Sequence, residues 1–488
     1  MAQSFIKKNA LLAFIVFLSL SWAHSAYSLE DLQSNDERGN TSLKEENYGE
    51  NIEAAKESET LAGARPQKKE MTFLTGGRVS ATYKYYRNID NQQSQTDFLK
   101  WSWSQEASYW LYLNYQSTHS VYVRLYDTYI TRGVGDNYTG IGADHEGPSF
   151  SQAYYQLNLN KKFNTPLRLT VGRQYLFSGT GVAYAAIHDG FQIEGFKDPF
   201  YVKGFIAKTK PREDNIDYSV PGFDKEGERS FMGGEIAYTG VKNVSAYIFA
   251  LNQHDLSSSN PENPRQNFHY NSFYSGCGFS MQPEDDWQIW SEFIQERGSG
   301  FTDSSRTSLR ETKIRSWASV SGIQYTSQFV THPTAGLSYA RGSGDDDRTR
   351  ITNTRGGDLD GVDKNFLYFG YYQTGYASQL RLSNLNIVKL EGSLKPLENY
   401  SFFNMQNIVL GSRYYHFFKD RSAGGVSDTE AIEDNKNIGD EFNLYINWKF
   451  YKNMLLNTRY GIFFPGEAYP EYSRDETHYF STSVSYNF

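Results

Sequence analysis

The sequence is short of cysteine, proline and long apolar runs. The lone Cys277 among 488 residues excludes a disulfide framework and a zinc finger. The mean hydropathy of -0.63 excludes a bundle of membrane-spanning helices, because each helix would need about 20 consecutive apolar residues. Aromatic residues make up 16 % of the chain, which argues against wholesale disorder, since disordered chains are poor in aromatic side chains. By length, two or three ordinary domains or one large all-β barrel remain.

Tyrosine and glycine are abundant, with 38 Tyr and 41 Gly against only 13 Pro. A polar average combined with this composition is typical of a transmembrane β-barrel, whose alternating strands hide an apolar face from the mean hydropathy. The formal net charge is -8, and the acidic residues cluster before residue 71 and in loop-like intervals. The acidic balance also argues against a nucleic-acid partner.

The first residues follow the pattern of a secretory signal. Lys7 and Lys8 precede an apolar run over residues 10–20, and small residues then offer cleavage after Ser25 or, as we prefer, after Ser28. The alternative is a single membrane anchor, but the apolar run is too short to cross a bilayer comfortably. We therefore assign residues 1–28 to a signal peptide.

The next segment, residues 29–70, is rich in charged side chains and has very few aromatic ones. It is too polar to bury a core. We expect a flexible, solvated periplasmic extension, with partner binding as the alternative.

From Met71 onward the side chains alternate with period two. In residues 121–126, valine and leucine take one side of a strand, while Tyr122 and Arg124 take the other; residues 442–450 alternate in the same way. The second face is rich in Asn, Gln, Ser, Thr and Tyr with isolated cations. That composition favours a water-filled lumen over bulk solvent.

Residues 71–488 are therefore predicted to form one outer-membrane antiparallel β-barrel. At roughly 23 residues per strand and connection, they supply about 18 strands, with 16 as the near alternative. Long polar intervals, such as residues 210–229 and 419–440, alternate with short breaks such as 160–166. We expect long loops on one rim and tight turns on the other.

The last strand carries a specific signal. Phe480, Val484, Tyr486 and Phe488 share one side, and the chain stops on the aromatic Phe488 itself. Bacterial outer-membrane barrels end in this way, and their last strand is read by the barrel-assembly machinery. We predict that these four residues form the assembly signal.

Several segments resemble the alginate export family of outer-membrane barrels. Their order and spacing follow the family from about residue 75 to the end of the chain, at residues 167–174, 336–344, 382–385, 415–418, 438–441 and 459–469. The resemblance implies an 18-stranded barrel that passes an anionic polysaccharide through a cation-lined pore.

Single positions both match and depart from the family's exporter. Arg459 matches a lumen arginine of that exporter. An arginine after Gly-Arg-Gln is replaced here by Tyr175, and an Arg-Glu pair is replaced by Gln-Ala at residues 152–153. Gln379 stands where the exporter has a further arginine, with Arg381 two places on. The constriction therefore has fewer arginines than the exporter's.

The position of a cation in the alternating pattern of its strand predicts whether it faces the lumen. A charge on the lipid side costs ~2–4 kcal/mol at the bilayer midplane, so a cation flanked by outward residues is expected to face inward. Rings of Arg or Lys serve anion-selective pores. The candidates are Arg124, Arg168, Arg381, Lys449 and Arg459. Strict alternation sends Arg173 outward, unless a bulge shifts the register.

Less specific interpretations stay open. The lumen cations could simply pair with lumen acids such as Glu106. Residues 345–347, three consecutive aspartates, suit either a calcium ion or an ordinary solvated loop. No nucleotide loop, zinc motif or serine elbow is present, so we expect no metal, no cofactor and no enzyme. A hydrolase at the outer leaflet, using His416 or His478, is the alternative.

Two transport functions follow from these observations. The first is a channel for an anionic exopolysaccharide or related glycan. Its expected partners are membrane lipid, lipopolysaccharide, the assembly machinery and a periplasmic export scaffold. The second is a diffusion porin for small anionic or sugar-like nutrients, which the reduced number of arginines favours.

Overall fold

The structure is a computed structural model. It describes residues 71–89, 91–92, 97, 99–133, 141–159, 166–210, 229–256, 269–300, 311–348 and 361–488. The predicted signal peptide (1–28) and periplasmic extension (29–70) lie outside the described residues, as do parts of several predicted loops. Both assignments stay predictions.

The described residues form 19 β-strands and two short 3-10 helices. The helices are Phe402–Asn407 and Glu471–Ser473. The strands are β1 Met71–Arg87, β2 Trp101–Tyr115, β3 His119–Gly133, β4 Ile141–Asn158, β5 Leu167–Ser178, β6 Tyr184–Lys197, β7 Phe200–Lys208, β8 Arg229–Val241, β9 Val244–Asp255, β10 Tyr270–Met281, β11 Trp287–Gly300, β12 Thr312–Thr326, β13 Thr334–Gly342, β14 Val362–Asp363, β15 Leu385–Leu394, β16 Ile408–Lys419, β17 Asn437–Tyr451, β18 Met454–Pro465 and β19 Thr477–Asn487.

Eighteen of these strands close into one antiparallel barrel. Each pairs with its neighbours in the chain, and β1 pairs with both β2 and β19, which closes the ring. The two-residue β14 is the exception, since it adds to the end of β12 in parallel. The prediction of about 18 strands is confirmed. No helix among the described residues is both long enough and apolar enough to cross a membrane.

The two faces of the wall differ as the alternation predicted. The outward side chains of β7, β8 and β9 are apolar and open to the surroundings, with Ile206 54 %, Met232 60 % and Ile248 60 % exposed. In water such a surface would promote aggregation, but in a bilayer it is the favoured one. Ser120 and Tyr122, on the inner face of β3, are buried.

The rims are unequal. Connections of two or three residues join β2 to β3, β6 to β7, β8 to β9 and β17 to β18. We call this edge the turn rim; it also carries the start of β1 and the end of β19. The opposite edge, the loop rim, carries the longest connections, such as those between β7 and β8, β13 and β15, and β16 and β17.

One connection of the loop rim folds into the barrel instead of staying at the edge. We call residues 361–384, between β13 and β15, the inward segment. Its residue Phe369 pairs with Tyr184 of β6, and its Phe366 and Leu382 are fully buried in an apolar core that lies inside the barrel. Protein therefore fills part of the lumen, next to the stretch of wall that runs from β6 to β18.

The inward segment corrects one expectation. Arg381 was assigned to a strand because Leu380 and Leu382 flank it. Residues 380–382 form no strand, and both leucines are buried in the interior core. The apolar flanks serve tertiary packing inside the barrel, not an outward face.

The terminal residue secures the seam of the barrel. The backbone N–H of Gly77 donates to the Phe488 carbonyl at 2.9 Å, and the Phe488 N–H donates back to Gly77 at 2.9 Å. The Phe488 ring occupies the space in which a side chain at position 77 would lie. Recognition of this strand by the assembly machinery stays a prediction.

We expect Gly77→Val to weaken the seam, because the new side chain would collide with the Phe488 ring. Overpacking of this kind costs about 1–3 kcal/mol. The temperature at which the folded barrel is lost on a denaturing gel should fall. Gly195→Val is the control, since a Cβ there meets only Leu167 Cδ1 at 3.8 Å. Equal melting of the two variants would contradict the seam's role.

Candidate lumen site and constriction

The inward segment crosses the lumen and is held by buried carboxylates of the wall. Glu441 on β17 accepts the backbone N–H groups of Ala377 and Ser378 at 2.9 and 2.8 Å. Glu296 on β11 accepts the N–H of Leu367 at 3.1 Å. A hydrogen bond to a charged acceptor contributes about 1.5–3 kcal/mol. Since β17 lies nearly opposite β6 in the ring, these contacts, together with the Phe369–Tyr184 bridge, span the barrel.

The connection between β5 and β6 also turns inward and meets this segment. Thr180 donates its N–H and its hydroxyl to Glu292 at 2.7 and 2.6 Å. The Phe369 N–H donates to Ala183 at 2.9 Å, and the Tyr371 N–H donates to Gly181 at 3.0 Å. The two inward pieces therefore support each other, and acidic side chains of the wall position both.

Arg459, a predicted lumen cation, lies at this constriction. Its guanidinium carbon is 5.6 Å from the ring centroid of Tyr376, on the inward segment. Arg413 of β16 approaches the same ring, at 5.9 Å, and donates to the Tyr376 hydroxyl at 3.1 Å. Two cations thus converge on one tyrosine, whose ring stabilises positive charge.

Arg413 was missed by the sequence reasoning. Its strand has aromatic residues on both sides, in residues 414–418, so the alternation does not reveal which side is the lumen. The structure shows that Tyr415 and Phe417, on the side of Arg413, pack into the interior core. Arg413 also lies 3.5 Å from Glu391, which is 3.1 Å from Lys389.

Two more predicted cations lie elsewhere on the wall: Arg124 on β3, four strands from Arg459, and Arg168 on β5, nearly opposite Arg413. Arg124 faces inward from β3 and donates to the Ser108 hydroxyl at 3.2 Å. Arg168, on β5, is 3.5 Å from Glu194 of β6. Arg168 lines a water-accessible recess of about 130 Å³ together with Gln152, Gln156 and Lys203.

The remaining two candidates do not join either group. Lys449 is exposed close to the turn rim, about 27 Å along β17 from Glu441. Arg381 lies on the inward segment, where its guanidinium is 4.8 Å from the Tyr368 ring and donates to the Tyr368 carbonyl at 3.1 Å. The five predicted residues therefore do not form one ring of charge.

Acids accompany many of the inward cations. The ammonium group of Lys203 is 3.4 Å from Glu235, and Arg229 is 3.0 Å from Asp255. These ion pairs agree with the alternative that lumen cations pair with lumen acids. The lumen surface is thus mixed in charge, and at Tyr376 the acid Glu391 accompanies Arg413.

Arg173 points outward, as strict alternation predicts. Its register with β4 and β6 continues without a shift. Its guanidinium binds both carboxylate oxygens of Asp189, at 2.8 and 2.9 Å. This ion pair lowers the free-energy cost of placing a charged side chain on the outer face.

The acidic loop and the two histidines have structural partners. Asp345 accepts the backbone N–H groups of Asp347 and Lys364 at 3.1 and 2.9 Å, so its carboxylate shapes the loop. Across the described residues, no group of three His, Cys, Asp or Glu could hold a metal ion. His416 lies 2.9 Å from Asp440, and His478 lies 2.8 Å from the Tyr460 hydroxyl, both on the outer face.

We expect Glu441→Gln to loosen the inward segment. The neutral amide keeps one acceptor oxygen and loses the charge, so it holds Ala377 and Ser378 more weakly. Single-channel recordings should show a larger or more frequently fluctuating conductance. Glu194→Gln is the matched control, because Glu194 binds Arg168 and Tyr201 on the wall. Indistinguishable recordings for the two variants would refute the anchoring role.

Comparisons with known proteins bear on the barrel as a whole. Among solved structures, the chain is similar to Pseudomonas aeruginosa OccK5 (14 % identity, covering 85 % of this chain and 98 % of that one, TM-score 0.48). It is also similar to Pseudomonas aeruginosa OprD (13 %, 85 % and 95 %, TM-score 0.49). Acinetobacter baumannii OccAB1 is a third such structure (10 %, 85 % and 96 %, TM-score 0.49). A comparison with curated proteins gave no match.

The family of alginate export proteins matches residues 218–482, which is more than half of the chain. The match includes Arg413, Arg459, Glu441 and the whole inward segment. The family is one of export channels. The chain therefore belongs to the alginate export family, and it is a β-barrel channel of the bacterial outer membrane.

Proposed function

We propose that the channel passes an anionic glycan, whose carboxylates meet Arg413 and Arg459 beside Tyr376. The observation that supports this is the convergence of the two guanidinium groups on one tyrosine ring, at 5.9 and 5.6 Å, on a segment that crosses the lumen. The substrate would have to pass this point.

The chemistry of the site suits a charged sugar polymer. A polyuronate carries one carboxylate per sugar, and guanidinium forks onto carboxylates while being less tightly hydrated than ammonium. Tyrosine offers a flat face to the sugar's C–H surface. Glu391 partly offsets the charge of Arg413 at 3.5 Å, which keeps the site from holding the chain too tightly.

The recess on the opposite wall offers contacts of another kind. Gln152 and Gln156 present amides that both donate and accept hydrogen bonds, next to the Arg168–Glu194 pair. Sugar hydroxyls are matched by such groups. A glycan that threads the lumen would meet arginines on one side and amides on the other.

A small-solute porin is the second candidate. The inward segment crosses the lumen and is held at Glu441, Glu296 and Tyr184. A polymer requires this segment to move aside, whereas a small uronate or sugar acid could pass beside it. The held position of the segment therefore favours small anionic or sugar-like nutrients.

The remaining assignments complete the proposal. Residues 1–28 would direct export and be removed, and residues 29–70 would extend from the turn rim into the periplasm, where an export scaffold could bind them. The assembly machinery would read the strand that ends in Phe488. The predicted contributions of Arg124, Arg168, Arg381 and Lys449 to the substrate path belong to the same proposal.

We expect the Arg413→Ala and Arg459→Ala variants to lose anion preference. Reversal potentials across a salt gradient should move toward the unselective value, because each change removes a positive charge at the constriction. Block by an oligouronate should weaken by about tenfold per arginine, the equivalent of about 1.4 kcal/mol. Arg87→Ala is the control, since Arg87 is exposed on the outer face of β1.

The outcome separates the two candidates. A polysaccharide channel should show block that strengthens and lengthens with the number of uronate units. A small-solute porin should pass mono- and disaccharide uronates and ignore longer chains. A wild-type pore without anion preference would overturn the glycan channel and leave a porin for neutral, sugar-like nutrients.

A further inference from the structure

Three exposed cations share the outer face of β11 and β12 at the loop rim. Arg297 lies directly opposite Arg315 in the strand register, and Lys313 precedes Arg315 by two residues on the same face. All three side chains are exposed. We call Arg297, Lys313 and Arg315 the outer basic patch.

Four other outward cations of this rim are paired with acids of the chain. These pairs are Arg173–Asp189 at 2.8 Å, His145–Asp127 at 2.8 Å, His416–Asp440 at 2.9 Å and Arg341–Asp420 at 2.6 Å. Within the described part of the chain, no residue of the outer basic patch forms an ion pair. The neighbouring Glu311 accepts a hydrogen bond from the Ser299 hydroxyl. Three cations beside this one acid leave the patch with an excess of positive charge.

Such an arrangement is unfavourable without an anion. Like charges directly opposite on an antiparallel pair repel each other. Placing unpaired cations on the lipid-facing wall adds a cost, which becomes small only at the level of the headgroups. An external negative charge at that level would remove both penalties.

Apolar side chains continue the face toward the middle of the wall. Phe273 of β10 lies directly opposite Arg297 and is 44 % exposed. Phe293 stacks on Trp317 at 5.9 Å, and the guanidinium of Arg341 covers Trp317 at 4.5 Å. Positive side chains at the loop rim, with aromatic side chains next to them toward the middle of the wall, match a ligand that has a negatively charged headgroup and acyl chains.

We propose that the outer basic patch binds the phosphate groups of a phosphorylated glycolipid in the outer leaflet, as in lipid A. Long loops face outward in bacterial outer-membrane barrels, so the loop rim lies at that leaflet. Arginine forks bind phosphate in bidentate fashion, and Lys313 adds a point charge. Phe273, Phe293 and Trp317 would contact the acyl chains. The site is independent of the glycan proposed for the lumen.

The test compares lipids that differ only in phosphate. The purified full-length barrel in micelles is titrated with bisphosphorylated lipid A and with its dephosphorylated form, and bound lipid is counted by native mass spectrometry. Wild type should bind the phosphorylated form about tenfold more tightly. The combined Arg297→Gln, Lys313→Gln and Arg315→Gln variant should lose this preference, and Arg87→Gln should keep it.

Stability measurements separate binding from folding. Without lipid, the triple variant should melt at or above wild type, because its substitutions remove repulsion. If the triple variant does not fold, Arg315→Gln alone is measured in the same way. Equal affinity of wild type for the two lipids, or an unchanged preference in the variants, would overturn the proposal. So would inorganic phosphate raising the melting temperature as much as lipid A does, since the patch would then be a site for a free anion.

Discussion

A backbone amide in a bilayer has no water to bind, and this constraint governs the whole molecule. A sheet can satisfy it only by closing on itself. The closure depends on β1, which pairs with β2 on one side and with β19 on the other. The terminal Phe488 completes it by exchanging two hydrogen bonds with Gly77. The apolar exterior and the polar interior follow from this closure, because alternate side chains must then face lipid and lumen.

A similar constraint operates where the inward segment is buried inside the barrel. The inward segment has left the sheet, so its amides need other acceptors, and carboxylates of the wall supply them. Glu441 and Glu296 serve the inward segment, and Glu292 serves the neighbouring connection. Lumen acids are thus used to hold protein in place. Arg413 and Arg459 lie beside Tyr376 at the point where the segment meets the wall, and this links the architecture of the channel to the charge that a substrate would meet.

Sequence reasoning reached the parts of this structure that follow from period two. The barrel and the inward direction of Arg124, Arg168 and Arg459 come from the alternation that the two solvents impose, and the number of strands comes from the length of the chain. The same reasoning was wrong to place Arg381 on a strand. Leucines on both sides of a residue occur in a strand with an apolar outer face and also in a segment packed inside the barrel, and the sequence does not distinguish the two. The inward direction of Arg413 could not be inferred, because its strand has aromatic residues on both faces.

The anchoring carboxylates left almost no signal in the sequence. Glu441 stands in a segment that resembles the family, but nothing there says that its partner is a backbone 60 or more residues earlier. Gly375 is the closest to a clue, since any side chain there would collide with the Glu441 carboxylate. Such contacts arise from the tertiary path of the chain, and a single sequence does not encode them in a local pattern.

Buried carboxylates of the wall hold the inward segment across the lumen. Amide hydrogen exchange of Leu367, Ala377 and Ser378 in the reconstituted wild-type barrel measures this hold. We expect these amides to be protected almost as strongly as those of the barrel strands. Exchange as fast as that of the rim connections would contradict this expectation, because the segment would then spend much of its time away from Glu441 and Glu296.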